Sequence, residues 1–425
     1  MRVAVLGAGI TGVTTTYSLL ERDLEVTVFD RNRYAAMETS FANGGQLSAS
    51  NAEVWNHWST VAKGIGWLLR RDAPLALNPS PSWAKYTWMA EFLANIPNYR
   101  KHTIATVELA IAAREHLMQM AASAGIEFDL ERRGILHFYR ERGSFEHAAR
   151  TNEMLKAGGL KRVAVTPQEI RSLEPALQGD FYGGFYTESD FSGDIHKFSR
   201  GLLDSCTRRG AELRLETDVV GLRPTRDGRV CINSRPMHAG DEPAQSETFD
   251  AIVVCAGIAS RQFASMLGDR VPIYPVKGYS ITVQMDAASA AAAPHMSLLD
   301  DATKIVASRL GEDRFRVAGT AELNGENRDI RADRVAPLTD WVRNLFPQVS
   351  TDNVTPWAGL RPMLPSMMPR VGPGRRPGVF YNTGHGHLGW TLSGATAHAV
   401  AAAVRPHTNH QGARCAPGAS TSAPI

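Results

Sequence analysis

Residues 1–30 leave this chain few folds to choose from. Met1-Arg-Val-Ala-Val-Leu6 reads as a buried strand that runs directly into Gly7-Ala-Gly9-Ile-Thr-Gly12. The small and apolar residues from Val13 to Leu20 suit a helix packed close to a sheet, and Glu25-Val-Thr-Val-Phe29 reads as a second strand. Asp30 closes that strand, 18 positions after Gly12. Each glycine has a mechanical reason: Gly7 permits the tight turn, Gly9 lets the backbone approach a pyrophosphate, and Gly12 brings helix and strand together. Free N–H groups at the helix start attract phosphate charge. A carboxylate about 20 residues on accepts hydrogen bonds from a ribose. Strand, glycine turn, helix, strand and acid in this order predict a βαβ dinucleotide site.

A chain of 425 residues with 43% hydrophobic content can bury a large core, and its length suggests two or three domains. The formal charge of +3 indicates neither a nucleic-acid-binding face nor an acidic tail. The N-terminus lacks signal-peptide architecture, and no run of eighteen apolar residues predicts a transmembrane helix. Cys206, Cys231, Cys255 and Cys415 show no metal-ligand or disulfide spacing, so reduced thiols in a cytoplasmic protein without a metal are expected.

Further along, Glu38 to Ser48 is a polar loop able to lie against a ligand. Val54 to Tyr99 holds five of the eight tryptophans among basic residues, which suits a membrane interface but equally a lid or core cover. Helices are expected over 102–124, 143–157, 166–173, 194–209, 333–346 and 391–404, with Thr166 and Glu169 as a capping box. Short strands are expected over 134–139, 212–216, 219–223, 229–233, 271–275, 278–284, 303–307, 315–318, 354–360 and 379–383. Phe249 to Gly257 is an almost wholly apolar strand ending in a glycine turn, the form of a central parallel strand opening on a ligand crevice. The recurrence of such strands predicts a nucleotide-binding unit split by insertions: 1–55, 180–268 and 350–405 against a substrate-covering unit of 56–179 and 269–349. Residues 406–425, rich in Pro, Ala, Ser and Gly, read as a disordered tail.

A βαβ site accepts a nicotinamide or a flavin dinucleotide. The early fingerprint, the interrupted halves and a second glycine loop, Gly384 to Gly389, directly before the last helix favour flavin. That helix start can place N–H groups beside the ring, where negative charge appears on reduction.

Five blocks carry a closer resemblance: Val5-Leu-Gly-Ala-Gly-Ile-Thr-Gly12, Glu38-Thr-Ser-Phe-Ala-Asn-Gly-Gly-Gln46, Val276-Lys-Gly-Tyr-Ser-Ile-Thr282, Gly359-Leu-Arg-Pro-Met363 and Asn382-Thr-Gly-His-Gly-His-Leu-Gly-Trp390. In these the chain resembles the D-amino acid dehydrogenase family, bacterial flavoenzymes of the D-amino acid oxidase superfamily. The resemblance implies an α/β fold, a glutathione-reductase-like Rossmann domain with an inserted α+β cap, and non-covalent FAD. It places Val3, Gly7, Ala8, Gly9, Ile10, Thr11 and Gly12 in the pyrophosphate segment, Asp30 at the ribose and Arg31 beside the adenosine. Ser40, Asn43, Gly45, Gln46 and Leu47 would line pyrophosphate and flavin. Val219 would meet adenine through its backbone, Gly257 would end the second phosphate-facing strand, and Gly384, Gly386, His387, Leu388, Gly389 and Thr391 would face the ring.

Arg361 is the leading substrate residue, because a guanidinium fork matches a carboxylate in two hydrogen bonds. Tyr279 either supplies a hydroxyl near that carboxylate or packs in its strand. His385 and His387 invite a general-base role, with a structural role as the alternative. The implied reaction is oxidation of a D-amino acid to its imino acid, then hydrolysis to a 2-oxo acid and ammonia, with electrons passed to a membrane quinone at the inner face of the cytoplasmic membrane. Two other readings stay open: an oxygen-using amine or imino-acid oxidase acting on glycine, sarcosine or proline-like substrates, and a flavin-binding protein without turnover. The chain departs from the family at Leu364-Pro-Ser-Met-Met368 and at His387, both of which bear on substrate preference.

Overall fold

The computed structural model describes residues 1–67, 74–238 and 243–405; the expected disordered tail, 406–425, lies outside the described residues. Arg2–Leu6 and Glu25–Phe29 form adjacent parallel strands joined by the helix Ile10–Leu20. The helix sits against its strand only because position 12 is glycine: a Cβ there would lie 1.8 Å from the Gly7 carbonyl oxygen. Three consecutive threonines are buried in it. Thr14, Thr15 and Thr16 return their hydroxyls to the carbonyls of Ile10, Thr11 and Gly12 at 2.6–2.9 Å, so no hydroxyl is stranded in the core.

Five parallel strands build the nucleotide sheet in the order Val379–Thr383, Ala251–Val254, Arg2–Leu6, Glu25–Phe29 and Glu212–Arg214, with Arg370–Pro373 added antiparallel at one edge. The three apolar strands near the start, near Gly257 and near Thr383 thus lie side by side. Helices Ile10–Leu20, Ile195–Arg208 and Gly389–Ala403 contribute to the core against this sheet, with Val5, Val253, Phe198 and Val400 buried together. The expected capping box forms at Thr166 and Glu169, and Asp194 caps the helix Ile195–Arg208 by accepting from the N–H groups of His196 and Lys197.

A second sheet has nine strands, built around Tyr274–Gln284 between Val354–Met363 and Arg314–Leu323. Helix Ala332–Leu345 covers one face, packing Leu338, Trp341 and Val342 on Tyr279, Ile281 and Val317. Three sequence expectations differ here. Residues 271–275 and 278–284 were expected as separate strands, but Tyr274–Gln284 is continuous because Val354–Met363 pairs with it from Tyr274 through Val283, bridging the weak glycine position. Gly183–Thr187 and Val354–Met363 fall in segments expected of the nucleotide unit, yet both hydrogen-bond into the second sheet. The tryptophan-rich segment, left without elements, contains helices Trp58–Trp67 and Trp83–Ala94 and the strand Leu75–Leu77.

Candidate active site

Two adjoining cavities, of about 450 and 370 Å³, share Thr39, Asn43, Arg361 and His387 as walls. The first runs along the carboxyl ends of the nucleotide sheet. Gly7, Gly9, Ile10 and Thr11 line it from one turn, Cys255 to Ala259 from the next, Asp30, Arg31 and Thr217 to Val220 at one end, and Gly384, His385, Gly386 and Gly389 at the other. Room for a ligand is left where it is needed. A Cβ at Gly9 would meet nothing nearer than Ser40 Oγ at 3.6 Å, and at Gly257 nothing within 4 Å. No side chain caps the helix start at Gly9, although the Ile10 N–H donates to Ser40 Oγ at 3.1 Å.

Asp30 is held in place by its neighbours. One oxygen accepts from Ala8 N at 2.6 Å, the other from the Asn32 backbone and side chain at 2.8 and 2.9 Å. Burial raises its pKa, against the pull of these same donors. A carboxylate oxygen has lone pairs left after one such bond, so a ribose hydroxyl can be added. Arg31 lines the same end, its guanidinium turned to Glu38 at 2.8 Å.

Several expected contacts are indirect. Val3 is wholly buried inside its strand, away from the turn that carries the cavity, and Leu47 is buried in a strand paired with Phe191. Ala8, Gly12 and Gly45 also line neither cavity: Ala8 fixes Asp30, Gly12 packs on Gly7, and Gly45 backs on Gly193 and Ser308. Gln46, Leu388 and Thr391 line the second cavity instead of the first. The Gln46 amide donates to Ser297 Oγ and the Leu298 carbonyl at 2.9 and 3.0 Å.

Arg361 stands where the cavities meet. Its guanidinium donates to the Thr320 carbonyl at 3.2 Å and has no carboxylate within 4.0 Å among the described residues. Burial alone pushes its pKa down to about 10, which still leaves it charged at neutral pH. A half-buried cation drawn out of water in this way is costly until an anion completes it. Sequence reasoning missed what lets the side chain lie there. It lies across Gly278 of the neighbouring strand, where a Cβ would sit 2.3 Å from Nη2.

Tyr279 lines the second cavity, but its hydroxyl is engaged elsewhere, as its packing alternative expects. Val276 pairs with Arg361, so Tyr279, three residues on, points to the opposite face of the sheet. There its hydroxyl donates to Glu322 at 2.6 Å, and Glu322 also pairs with the buried Lys277 at 3.2 Å. His385 lines the first cavity and is anchored as its structural alternative expects: it is buried, its Nε2 is 3.0 Å from Thr396 Oγ1 of the last helix, and burial pushes its pKa down to about 3.

His387 is the histidine at the junction. It stacks on Trp55 with ring centroids 4.6 Å apart, and burial, then the charge of Arg361, pushes its pKa down to about 3. Trp55 and two other contributors were also missed. Thr39 donates to the Leu360 carbonyl at 2.8 Å, and Arg316 ties Thr282 Oγ1 to the Asn43 carbonyl at 2.8 and 3.1 Å, bracing the 38–48 loop on the second sheet. These residues come from distant parts of the chain, and no local pattern marks them.

The first cavity, with an acid at one end, open glycine turns along it and a helix start at the other end, fits a flavin dinucleotide. Among the described residues no cluster of His, Cys, Asp or Glu is placed to hold a metal ion, and no helix is long and apolar enough to cross a membrane.

A family model described as FAD dependent oxidoreductase, DAO, matches residues 2–403. D-amino acid dehydrogenase 3 of Mesorhizobium japonicum is 61% identical to the chain over 405 residues, covering 95% of this chain and 97% of that protein. The D-amino acid dehydrogenase of Paramagnetospirillum magneticum is 42% identical, covering 94% of each. Among solved structures, glycine oxidase from Geobacillus kaustophilus shares the fold, with a TM-score of 0.73 at 19% identity over 95% of this chain and 94% of that one. Family model and sequence identity agree over nearly the whole length, and the chain belongs to the D-amino acid dehydrogenase family of FAD-dependent oxidoreductases.

Proposed function

We propose that the protein oxidises D-amino acids to 2-oxo acids and ammonia and passes the electrons to a membrane quinone. The observation that carries the substrate class is Arg361, a half-buried guanidinium with one carbonyl contact at the junction of a nucleotide-shaped cavity and a second cavity. A substrate carboxylate supplies the missing anion in a bidentate pair.

Gly7, Gly9, Asp30, Arg31, Ser40, Asn43, Val219, Gly257 and the Gly384–Gly389 loop would hold FAD in the first cavity. When bound, FAD supplies a two-electron acceptor for the hydride leaving Cα. Arg361, braced over Gly278 and by the Thr320 carbonyl, fixes the carboxylate and so sets the direction of the Cα–H bond. Orientation is the main contribution of the protein. His387 stays neutral at physiological pH, and a group that releases its proton near pH 3 is a poor general base. The substrate amine therefore arrives deprotonated, its lone pair assisting hydride departure, and water hydrolyses the imino acid after release.

The two-unit division serves this reading once Gly183–Thr187 and Val354–Met363, the strand of Arg361, are counted with the second sheet: the rest of 1–55, 180–268 and 350–405 would hold the nucleotide, and these two strands with 56–179 and 269–349 would close over the substrate. The membrane part rests on helix Trp83–Ala94, where Trp83, Tyr86, Met89 and Leu93 recur at helical spacing and are exposed, Trp83 at 83%. That surface would seat the protein on the inner face of the cytoplasmic membrane, and liposome co-sedimentation tests it.

The reaction is tested by anaerobic absorption spectra of the holoprotein with panels of D- and L-amino acids. Bleaching of bound flavin by D-amino acids alone is expected. Persistent colour with every amino acid would sink the substrate class, and rapid peroxide release in air would replace the quinone with oxygen.

A further inference from the structure

The second cavity contains a buried guanidinium that the proposed reaction does not use. Arg162 is 5% exposed and lines this cavity together with Arg361. Its Nη2 donates to the Tyr139 hydroxyl at 3.2 Å, its charge lies over the Phe185 ring at 4.6 Å, and its Nε has no hydrogen-bond partner among the described residues. No carboxylate lies within 4.0 Å of it among the described residues. The nearby acid, Asp301, is paired with Lys304, which also lines the cavity. His137, buried beside them, shares a hydrogen bond of 2.9 Å with Ser50 Oγ, and burial, then the charges of Arg162 and Lys304, push its pKa well below the usual imidazole range.

The cavity therefore presents one buried and one half-buried guanidinium group, Arg162 and Arg361, neither with a carboxylate within 4.0 Å among the described residues, while the two acids that line it are engaged elsewhere, Asp301 by Lys304 and Glu53 by the Tyr99 hydroxyl. One aromatic face and one phenol hydroxyl do not replace a carboxylate for a desolvated cation, and an open Nε beside a partly used fork is the arrangement that a second anion completes. We propose that Arg162 binds a side-chain carboxylate of the substrate, so that the preferred substrates are D-amino acids with an acidic side chain. The inference rests on the reading of Arg361 as the partner of the α-carboxylate. A single ligand would then carry an anion to each guanidinium, with the amine-bearing carbon held at the junction.

The test compares each acid with its isosteric amide. In steady-state assays of the holoprotein with an artificial electron acceptor, D-glutamate or D-aspartate should exceed D-glutamine or D-asparagine by about ten-fold or more in kcat/KM. Arg162→Met should lower that acid-to-amide ratio by about ten-fold, to near unity, mainly through KM, and Arg162→Lys should restore part of it. Equal use of acid and amide by the wild type, or equal losses for both in Arg162→Met with the flavin spectrum intact, would overturn the proposal. Should Arg162→Met fail to retain flavin, wild-type binding decides: glutarate should perturb the flavin spectrum at about ten-fold lower concentration than its monoamide, and equal affinities would overturn the subsite. A glutarate preference without bleaching by any D-amino acid would remove the dehydrogenase reading and leave the second anion subsite standing.

Discussion

The two cavities are built from different materials. The nucleotide cavity is mainly backbone: the turns at Gly7 to Gly9 and Cys255 to Ala259, a helix start, and one acid held by main-chain and Asn32 donors. The second cavity takes its chemistry from side chains, with Arg361, Arg162, His137 and His387 contributed by strands and loops far apart in sequence. Backbone sites depend on where glycine allows the chain to turn. Side-chain sites depend on which residues long-range pairing brings together, and they carry the cost of buried charge.

The sharpest way to break the first cavity is Gly12→Val. Its Cβ would collide with the Gly7 carbonyl, so the purified protein is expected to be colourless, checked by absorbance at the flavin maximum. The second cavity breaks differently. Arg361→Met should keep the flavin spectrum yet lower kcat/KM for D-amino acids by about 10²–10³-fold, the scale of losing a buried, hydrogen-bonded charge partner. Gly278→Ala, which displaces the same guanidinium, should reproduce a smaller part of that loss in stopped-flow bleaching.

Stability against pH separates the two histidines from the nucleotide side. An unfolded histidine titrates near 6.5, whereas burial holds His385 and His387 near 3 in the fold, so between these values the unfolded chain binds more protons. Their contribution is complete above pH 6.5 and is lost as pH falls toward 3. Tm should therefore drop from pH 7 to pH 5, and His387→Phe, which keeps a ring on Trp55, should flatten that slope. The smallest effect on turnover is expected for Tyr279→Phe. Removing its bond to Glu322 should cost about 1–3 kcal/mol in denaturant unfolding while kcat/KM changes only a few-fold. A large loss of turnover would return Tyr279 to the substrate.

Much of the first cavity was legible before any coordinates. Gly7, Gly9, Asp30 and Gly257 follow from local backbone geometry and spacing, and all four line the first cavity. Arg361 was legible through a resemblance, but its lack of an acid was not, since a salt bridge can come from any part of the chain. The partners of Tyr279 and His385 were not legible, for related reasons. Tyr279 shares a motif with Gly278, but strand alternation sends its side chain to the covered face. His385 shares a loop with His387, but the tight turn aims it at Thr396.

By itself the sequence determined the βαβ unit, the order of the nucleotide-sheet strands along the chain and the residues able to carry charge. Those features depend on periodicity, glycine and short-range spacing. Only the tertiary structure decided that Val354–Met363 pairs with Tyr274–Gln284, that Arg361 lies over Gly278, and that Arg162 lines the same cavity. Strand partners and buried charges are chosen by the packing of the whole chain, because the free energy of a cation depends on every group that surrounds it.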